Sequence, residues 1–376
     1  MWPGSEAHIG GLEPTYLDKF NESEVLPNKV DRLLHWLDMP FESRPQLMLA
    51  YVPNVDADGH QFGPNSTEIR ATIADVDSML TILVEGLLAR NLTEIVNLVI
   101  VSDHGMATTS TNRLIQLDDI IDLDLVDHID GWPLRGLRLK NPDRDLGSHH
   151  TILLAAAKEQ GTFDVYTRAT MPERYHFSNN DRIAELWVVP KTGNAVVERP
   201  DFDVAEALEK GIEYHPKGLH GYDHEHPLMR AIFVARGPAF PHEGNSRVKV
   251  FQNTEVYNIV CDSIGVKAHD SNGTLHLPFR IEGMHGTGTD VPHDAGKDED
   301  VTPVDGEGAD VGAEGDGAKE GADAGVGEGE KQDEDSEKEG KADWWKFLHD
   351  QLQKAKDWAK QFADSIKGNK KPDDGG

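Results

Sequence analysis

The clearest pattern along the chain is a run of apolar residues that recur every three or four positions between Ser66 and Leu87. This spacing places them on one face of a helix; they are Ile69, Ile73, Val76, Leu80, Leu83 and Leu87. The hydroxyl of Ser66 or Thr67 can accept a hydrogen bond from a free N–H group of the first turn. We therefore predict a long amphipathic helix with its N-terminus at one of these two residues.

Short apolar runs between turn-forming residues predict buried strands. We expect four of them, over residues 46–52, 97–101, 187–190 and 230–235. Residues 53–66 are rich in turn formers and are expected to form a loop. Two shorter helices are expected over residues 203–211 and 253–263. The order of strand, loop, helix and strand predicts an α/β fold with a parallel sheet.

Composition divides the chain where this patterning ends. Residues 1–283 have the composition of a globular domain, whereas residues 284–340 are rich in Gly, Asp and Glu and predict a disordered acidic linker. Within that linker, residues 290–340 carry nineteen acidic and four basic side chains, which is half of the net charge of −30. Helical spacing returns over residues 341–367 and predicts an amphipathic helix, and residues 368–376 are expected to form a disordered tail.

The C-terminal helix carries an apolar stripe over residues 344–366 with Lys and Asp on its other face. Such a stripe suits a membrane surface, a partner helix or the globular domain itself. Residues 341–376 hold eight basic and six acidic side chains, too balanced for strong attraction to anionic lipid. The acidic charge of the whole chain also disfavours binding to nucleic acid.

The sequence features that indicate the cellular location of the protein disagree. Cys261 is the single cysteine, so an intrachain disulfide is excluded. Four N-x-Ser/Thr sequons favour a glycoprotein of the secretory pathway; they begin at Asn21, Asn65, Asn91 and Asn272. The chain contains neither a secretory leader nor a run of about 20 apolar residues. Either the protein is cytosolic or its beginning is missing from this sequence.

Three clusters of Asp and His follow the predicted strands. They are D-A-D-G-H at residues 56–60, D-H-G at residues 103–105 and H-G-Y-D-H-E-H at residues 220–226. In open α/β sheets, active sites lie at the carboxyl ends of strands, so these clusters are expected to meet. Mixed carboxylate and imidazole ligands suit zinc, and a pair of zinc ions can stabilise both the attacking and the leaving oxygen of a phosphoryl transfer.

The motifs D-x-x-G-H-x-x-G-P, S-D-H-G-M and G-x-H-G-Y-D occur in this order, after an opening W-P-G-S-E and before Asn272-Gly273-Thr274. This combination resembles the nucleotide pyrophosphatase/phosphodiesterases of the alkaline-phosphatase superfamily, in particular fungal ones. The resemblance covers about residues 1–280. It implies an alkaline-phosphatase-like fold, with a mostly parallel sheet flanked by helices, from which the N-terminal part is missing.

The resemblance also implies a ligand set for two zinc ions. Asp56, His60 and His220 match the three ligands of one ion, and Asp103 and His104 match half of the set for the other. The family's remaining Asp ligand and its nucleophilic Thr precede W-P-G-S-E and are absent from this chain, so no catalytic residue is assigned. At most one three-ligand site is therefore expected to be complete here, and the chain is interpreted as truncated, with impaired activity.

Tyr51 matches an aromatic residue of the family that stacks on the nucleobase, and Trp2 is a second candidate for that pocket. The alternative for Tyr51 is a strand residue with a hydrogen-bonded hydroxyl. The implied reaction is zinc-dependent hydrolysis of nucleotide phosphodiester or pyrophosphate bonds to nucleoside monophosphates, by an enzyme of the secretory pathway, vacuole or cell surface. Two alternatives stay open: a phospholipid or phosphoethanolamine phosphodiesterase of the same superfamily, and a non-catalytic zinc- or nucleotide-binding fragment.

Overall fold

The structure is a computed structural model that describes residues 3–8, 10–21 and 23–285. The chain divides into two units, Met1–Glu299 and Asp300–Gly376, and all of the described residues belong to the first. Trp2, the acidic linker beyond residue 285, the C-terminal helix and the tail lie outside the described residues. None of the described helices is long and apolar enough to cross a membrane.

The described residues form six α-helices and twelve strands, joined by loops and short 3₁₀ turns. The helices are α1 (Leu26–Asp38), α2 (Asn54–Phe62), α3 (Thr67–Ala89), α4 (Pro142–Gln160), α5 (Val204–Lys210) and α6 (Val256–Ser263). The first six strands are β1 (Leu98–Val101), β2 (Ala107–Thr108), β3 (Leu114–Gln116), β4 (Val126–Asp130), β5 (Arg135–Leu139) and β6 (Phe163–Thr167). The others are β7 (Leu186–Pro190), β8 (Ala195–Val197), β9 (Gly218–Leu219), β10 (Phe233–Arg236), β11 (Ser246–Val248) and β12 (Ile281–Met284).

Several local predictions are confirmed. The long helix is α3, and Ser66 caps it by accepting a hydrogen bond from the N–H group of Ile69. The predicted strands over 97–101 and 187–190 correspond to β1 and β7. The strand predicted over 230–235 corresponds to β10, which begins three residues later than expected. The helix over 203–211 is α5, where Gly211 takes the left-handed conformation that ends it. Caps and apolar periodicity are properties of neighbouring residues, so they can be recognised before the fold is known.

The expected strand over residues 46–52 is wrong, because this segment has no regular secondary structure. A strand needs a neighbour that satisfies its N–H and C=O groups, and no strand within the described residues pairs with it. The side chains of Leu47 and Leu49 are instead 47% and 61% exposed. The loop expected over residues 53–66 is also partly wrong, since residues 54–62 form α2.

The α/β class is confirmed, but the strand directions differ from the expected mostly parallel sheet. Among the strand pairs of the described residues, only β3 and β8 run parallel. The pairs β1–β10, β2–β9 and β11–β12 are antiparallel, as are all neighbours in the sheet of order β4-β5-β7-β6. The β4–β5 connection spans only residues 131–134, and a connection this short permits only antiparallel pairing.

The four-stranded sheet and α4 enclose the largest apolar core. Leu137, Leu153, Leu186 and Val188 are fully buried in it, and Phe163 is 1% exposed. Helix α4 contacts β5, β6 and β7, and its Leu153 packs in the same apolar cluster as Leu137, Leu186 and Val188. This region, residues 126–190, is called the four-stranded sheet unit below.

A buried ion pair ties the four-stranded sheet unit to the strand that follows it. Arg135 on β5 donates from Nε and Nη2 to the two carboxylate oxygens of Glu198, at 2.6 and 3.1 Å. Glu198 directly follows β8, and both side chains are almost completely buried. Since β8 pairs with β3, the ion pair also links the sheet unit to β3.

Candidate metal centre

Helix α2 carries the first two predicted ligands on one face. Asp56 and His60 are four residues apart, so one helical turn brings their side chains together. Gly59 between them allows close packing: a Cβ atom at this position would lie 2.6 Å from the sulfur of Met106. The helix was missed in the sequence because residues 54–62 have no apolar periodicity, although the Asp–His spacing of four is itself typical of a helix.

The other two histidines reach α2 through a short strand pair. His104 lies between β1 and β2, and His220 directly follows β9. Because β2 pairs with β9 through Ala107 and Leu219, the segments that carry the two histidines are held side by side. Their rings stack with centroids 3.5 Å apart and an interplanar angle of 13°. Residues that are 116 positions apart in the sequence (220 minus 104) therefore share one site.

Oδ1 of Asp56 is the centre of this arrangement. It lies 3.4 Å from Nε2 of His60, 4.0 Å from Nε2 of His104 and 3.5 Å from Nε2 of His220. This oxygen is buried and makes no hydrogen bond of normal geometry. A buried carboxylate oxygen without a hydrogen-bond partner is costly, and a bound cation would offset that cost.

Two of the imidazoles are oriented by backbone carbonyl groups. Nδ1 of His60 donates to the carbonyl oxygen of Gly218 at 2.7 Å, and Nδ1 of His104 donates to that of Gly105 at 2.9 Å. In the neutral ring, a proton on Nδ1 leaves the lone pair on Nε2, the atom that faces Asp56. Such a hydrogen bond is how proteins set the tautomer of a metal-binding histidine.

The ligand atoms of Asp56, His104 and His220 all lie within 4.8 Å of one another. The imidazole nitrogens and the carboxylate oxygen of this group all present lone pairs to one another, and these lone pairs repel. A shared cation, either a proton on an imidazole or a metal ion, would offset the repulsion between them. The donor set fits a metal that accepts both nitrogen and oxygen ligands.

Electrostatics favour the deprotonated forms that bind metal. Burial, together with the neighbouring imidazoles of His104 and His60, lowers the pKa of His220 to about 4. Burial alone would raise the pKa of Asp56, but the three imidazoles outweigh it and the net direction is down. At neutral pH the site therefore holds an ionised carboxylate beside a neutral His220.

A family model for type I phosphodiesterase / nucleotide pyrophosphatase matches residues 1–223 of the chain. The chain belongs to this family. It is 42% identical over 285 residues to an uncharacterised pyrophosphatase/phosphodiesterase of Schizosaccharomyces pombe. This match covers 74% of the chain and 58% of the relative. It is also 34% identical over 315 residues to ectonucleotide pyrophosphatase/phosphodiesterase 1 of Saccharomyces cerevisiae. That match covers 72% of the chain and 41% of the relative.

A solved structure of murine ectonucleotide pyrophosphatase/phosphodiesterase 5, an inactive variant in complex with AMP, is also similar. It superposes with a TM-score of 0.63 at 30% identity, over 73% of this chain and 68% of that one. The predicted membership of the phosphodiesterase family and the alkaline-phosphatase-like fold are thereby confirmed. The chain nevertheless spans only 58% and 41% of the two yeast relatives.

Two of the other predicted site residues, Asp103 and Tyr51, lie at the margin of the group. Oδ1 of Asp103 is 3.5 Å from Nε2 of His104, and its side chain is 82% exposed. Tyr51 is half-buried; burial, followed by the charges of Asp56 and Asp103, raises its pKa. The structure therefore places Tyr51 beside the site, although its segment is not the expected strand. Trp2 falls outside the described residues.

Two neighbours of the site are not identified by the sequence analysis above. The ring of Trp132 lies 6.3 Å from that of His60, and Arg174 pairs with Asp223, three residues after His220. Both come from connections in the four-stranded sheet unit, far along the chain from the ligands they approach. Only the tertiary structure identifies them.

Proposed function

We propose that this chain provides the metal-binding part of a zinc-dependent enzyme that hydrolyses nucleotide phosphodiester or pyrophosphate bonds to nucleoside monophosphates. The observation that carries the proposal is the buried, unpartnered Oδ1 of Asp56 among the Nε2 atoms of three histidines. Family membership supports the reaction class, and the AMP complex of the murine relative supports a nucleotide as substrate.

Asp56, His60 and His220 are proposed to bind one zinc ion, and Asp103 and His104 to contribute to a second. The Nδ1 hydrogen bonds of His60 and His104 support this, because a proton on Nδ1 puts the lone pair on Nε2, the atom that would coordinate. His104 also lies close enough to Asp56 and His220 to share an ion with them.

Each residue would have a separate task in the reaction. Zinc, when bound, supplies a Lewis acid that polarises a phosphoryl oxygen and lowers the pKa of a hydroxyl or water. Asp56 balances the charge of the ion, and the carbonyl groups of Gly218 and Gly105 keep two imidazoles in the coordinating tautomer. Tyr51 is proposed to stack on the base of the nucleotide, which the partial exposure of this residue would permit.

The protein is proposed to be a glycoprotein of the secretory pathway, vacuole or cell surface. The Saccharomyces relative is named an ectonucleotide enzyme, which supports this location. All four sequon asparagines, Asn21, Asn65, Asn91 and Asn272, are exposed and so accessible to modification.

The test is Asp56→Asn, which keeps the size of the side chain but removes its charge. We expect the wild-type chain to bind zinc and the variant to bind it at least about 100-fold more weakly, beyond the 10- to 100-fold typical of losing a group that only supports a ligand. Binding is measured by competition with a chelator, and hydrolysis of a chromogenic nucleotide phosphodiester is followed in parallel.

Asp75→Asn is the matched control, since Asp75 is an exposed carboxylate on α3 and its loss should leave zinc binding unchanged. Equal zinc affinity in Asp56→Asn and the wild type would contradict the proposed site.

A further inference from the structure

A second charged cluster lies on the loop that carries His220, three residues further along. Nη1 of Arg174 donates to Oδ1 of Asp223 at 2.5 Å, and Nη2 donates to Oδ2 of the same carboxylate. The hydroxyl of Tyr175 donates to Oδ2 at 3.1 Å, and Nη1 of Arg174 lies 3.5 Å from the carboxylate of Glu225. A bidentate pair of this kind fixes the orientation of the carboxylate as well as its distance.

The two partners come from different parts of the chain. Arg174 and Tyr175 lie in a single 3₁₀ turn, Glu173–Tyr175, in the connection between β6 and β7 of the four-stranded sheet unit. Asp223 lies on the loop that follows β9, and the pair spans 49 residues of sequence. The cluster therefore joins the sheet unit to the loop over residues 218–226.

The same sheet unit touches this loop at a second point, next to His220. Gly221 has a φ of +96°, and a Cβ atom there would lie 3.3 Å from Cδ of Pro133. Pro133 belongs to the β4–β5 connection, as does Trp132, whose ring lies near His60. The loop is thus held by Pro133 just after His220 and by Arg174 two residues further on.

Electrostatics keep the cluster in its paired state at neutral pH. The hydrogen bonds from Arg174 lower the pKa of Asp223 to about 2, so its carboxylate stays ionised. Burial and the charge of Asp223 raise the pKa of Tyr175 to about 12, so its hydroxyl keeps the proton that it donates.

We propose that Arg174 is a positioning residue for metal binding, which acts through Asp223 to hold the 218–226 loop and so keep the imidazole of His220 directed at Asp56. This inference rests on the proposed metal site. The competing explanation is a pair that contributes only to stability. An ion pair whose side chains are 37% and 32% exposed, as here, typically contributes little to stability.

The test compares the zinc affinity of the full chain with that of Arg174 variants, by chelator competition. We expect Arg174→Gln to weaken zinc binding about 10-fold or more, in the range seen when a group that supports a metal ligand is lost. Arg174→Lys should recover part of the affinity, because an ammonium group keeps the charge but cannot bind both oxygens in the same fixed geometry.

Arg168→Gln is the matched control. Arg168 also lies between β6 and β7, and it pairs with the exposed Asp181 at 3.1 Å. Its loss removes an Arg–Asp pair from the same connection without touching the 218–226 loop, so zinc affinity should stay at the wild-type value.

Two further measurements separate positioning from stability. The free energy of unfolding of each zinc-free protein is measured by denaturation, and the Co²⁺-substituted proteins are compared by visible absorption. Positioning predicts a changed Co²⁺ spectrum and weaker zinc binding in Arg174→Gln even where zinc-free stability matches that of Arg168→Gln. If Arg174→Gln does not fold, Asp223→Asn removes the same pair and takes its place.

The outcomes distinguish the inference from the function on which it rests. Zinc binding by the wild type with unchanged affinity and spectrum in Arg174→Gln overturns the inference alone. Absence of zinc binding by the wild type overturns the proposed function and the inference with it.

Discussion

The four-stranded sheet unit and the β1–β10 pair differ in how completely their apolar residues are buried. In the sheet unit, α4 covers the sheet, and Leu137, Leu153 and Val188 are fully buried. In the β1–β10 pair, one face packs against a cluster around Phe240, Ile259 and Phe279. On the other side, an open groove between α3 and the two strands leaves Val234 55% exposed.

The difference shows that an apolar pattern predicts a strand without predicting what covers it. The sequences of β1 and β7 are equally apolar, LVIV and LWVVP, yet β7 is buried along almost its whole length and β1 is not. Burial depends on a second element that packs against the strand, and that element comes from elsewhere in the chain. The candidate metal centre lies where these two differently packed regions approach each other.

The largest effect is expected from Leu153→Ala in α4. Leu153 is fully buried against the four-stranded sheet, so truncation leaves a cavity in the closed core and should lower the free energy of unfolding by about 2–5 kcal/mol. Chemical denaturation followed by circular dichroism measures the change. The neighbouring Leu154, 44% exposed on the same helix, is the control, and its truncation should cost about 0.5 kcal/mol or less. If both truncations lowered the free energy of unfolding equally, burial would not distinguish the closed core from an exposed surface.

A smaller, pH-dependent effect on the free energy of unfolding is expected from His220, in the candidate metal centre. The pKa of His220 is about 4 in the folded, metal-free chain, whereas an unfolded histidine titrates near about 6.5. Between these values the unfolded state binds a proton that the folded state does not, so the free energy of unfolding falls as the pH drops from about 6.5 to about 4. The loss is at most about 3 kcal/mol.

His220→Gln should remove that part of the pH dependence from chelator-treated protein, as measured by denaturation at a series of pH values. The exposed His8 is the control, because folding leaves 67% of its side chain accessible. An unchanged slope in His220→Gln would show that burial of this imidazole does not destabilise its protonated form.

The smallest effect is expected from Val234→Thr, and it is best measured beside Val188→Thr. Both changes replace a methyl group with a hydroxyl in a strand. At the fully buried Val188 the hydroxyl loses water, which should cost about 1–3 kcal/mol. At the half-exposed Val234 it keeps water, and the change should stay within about 0.5 kcal/mol. Binding of a hydrophobic dye should decrease in Val234→Thr only, if the open groove is the surface that the dye contacts.

Elements with strong local signals were predicted well from the sequence. Helix α3 has both a cap at Ser66 and a regular apolar spacing, and α5 ends at a glycine in the left-handed conformation. Helix α2 was missed because its sequence, NVDADGHQF, has neither. The segment over 46–52 has a strand-like sequence but lacks a pairing strand among the described residues, so local pattern and structure disagree there.

The sequence by itself determined the chemical types at the site and their order along the chain: Asp56 and His60, then Asp103 and His104, then His220. It also determined the family, because the motifs are specific in combination. Only the tertiary structure decided that Asp56 Oδ1 lies among three imidazoles, that carbonyl groups set the tautomers of two of them, and that Arg174 reaches the loop of His220. The physical reason is that ligand types and caps are properties of neighbouring residues, whereas distances between atoms of separate segments follow from strand pairing and packing across the whole domain.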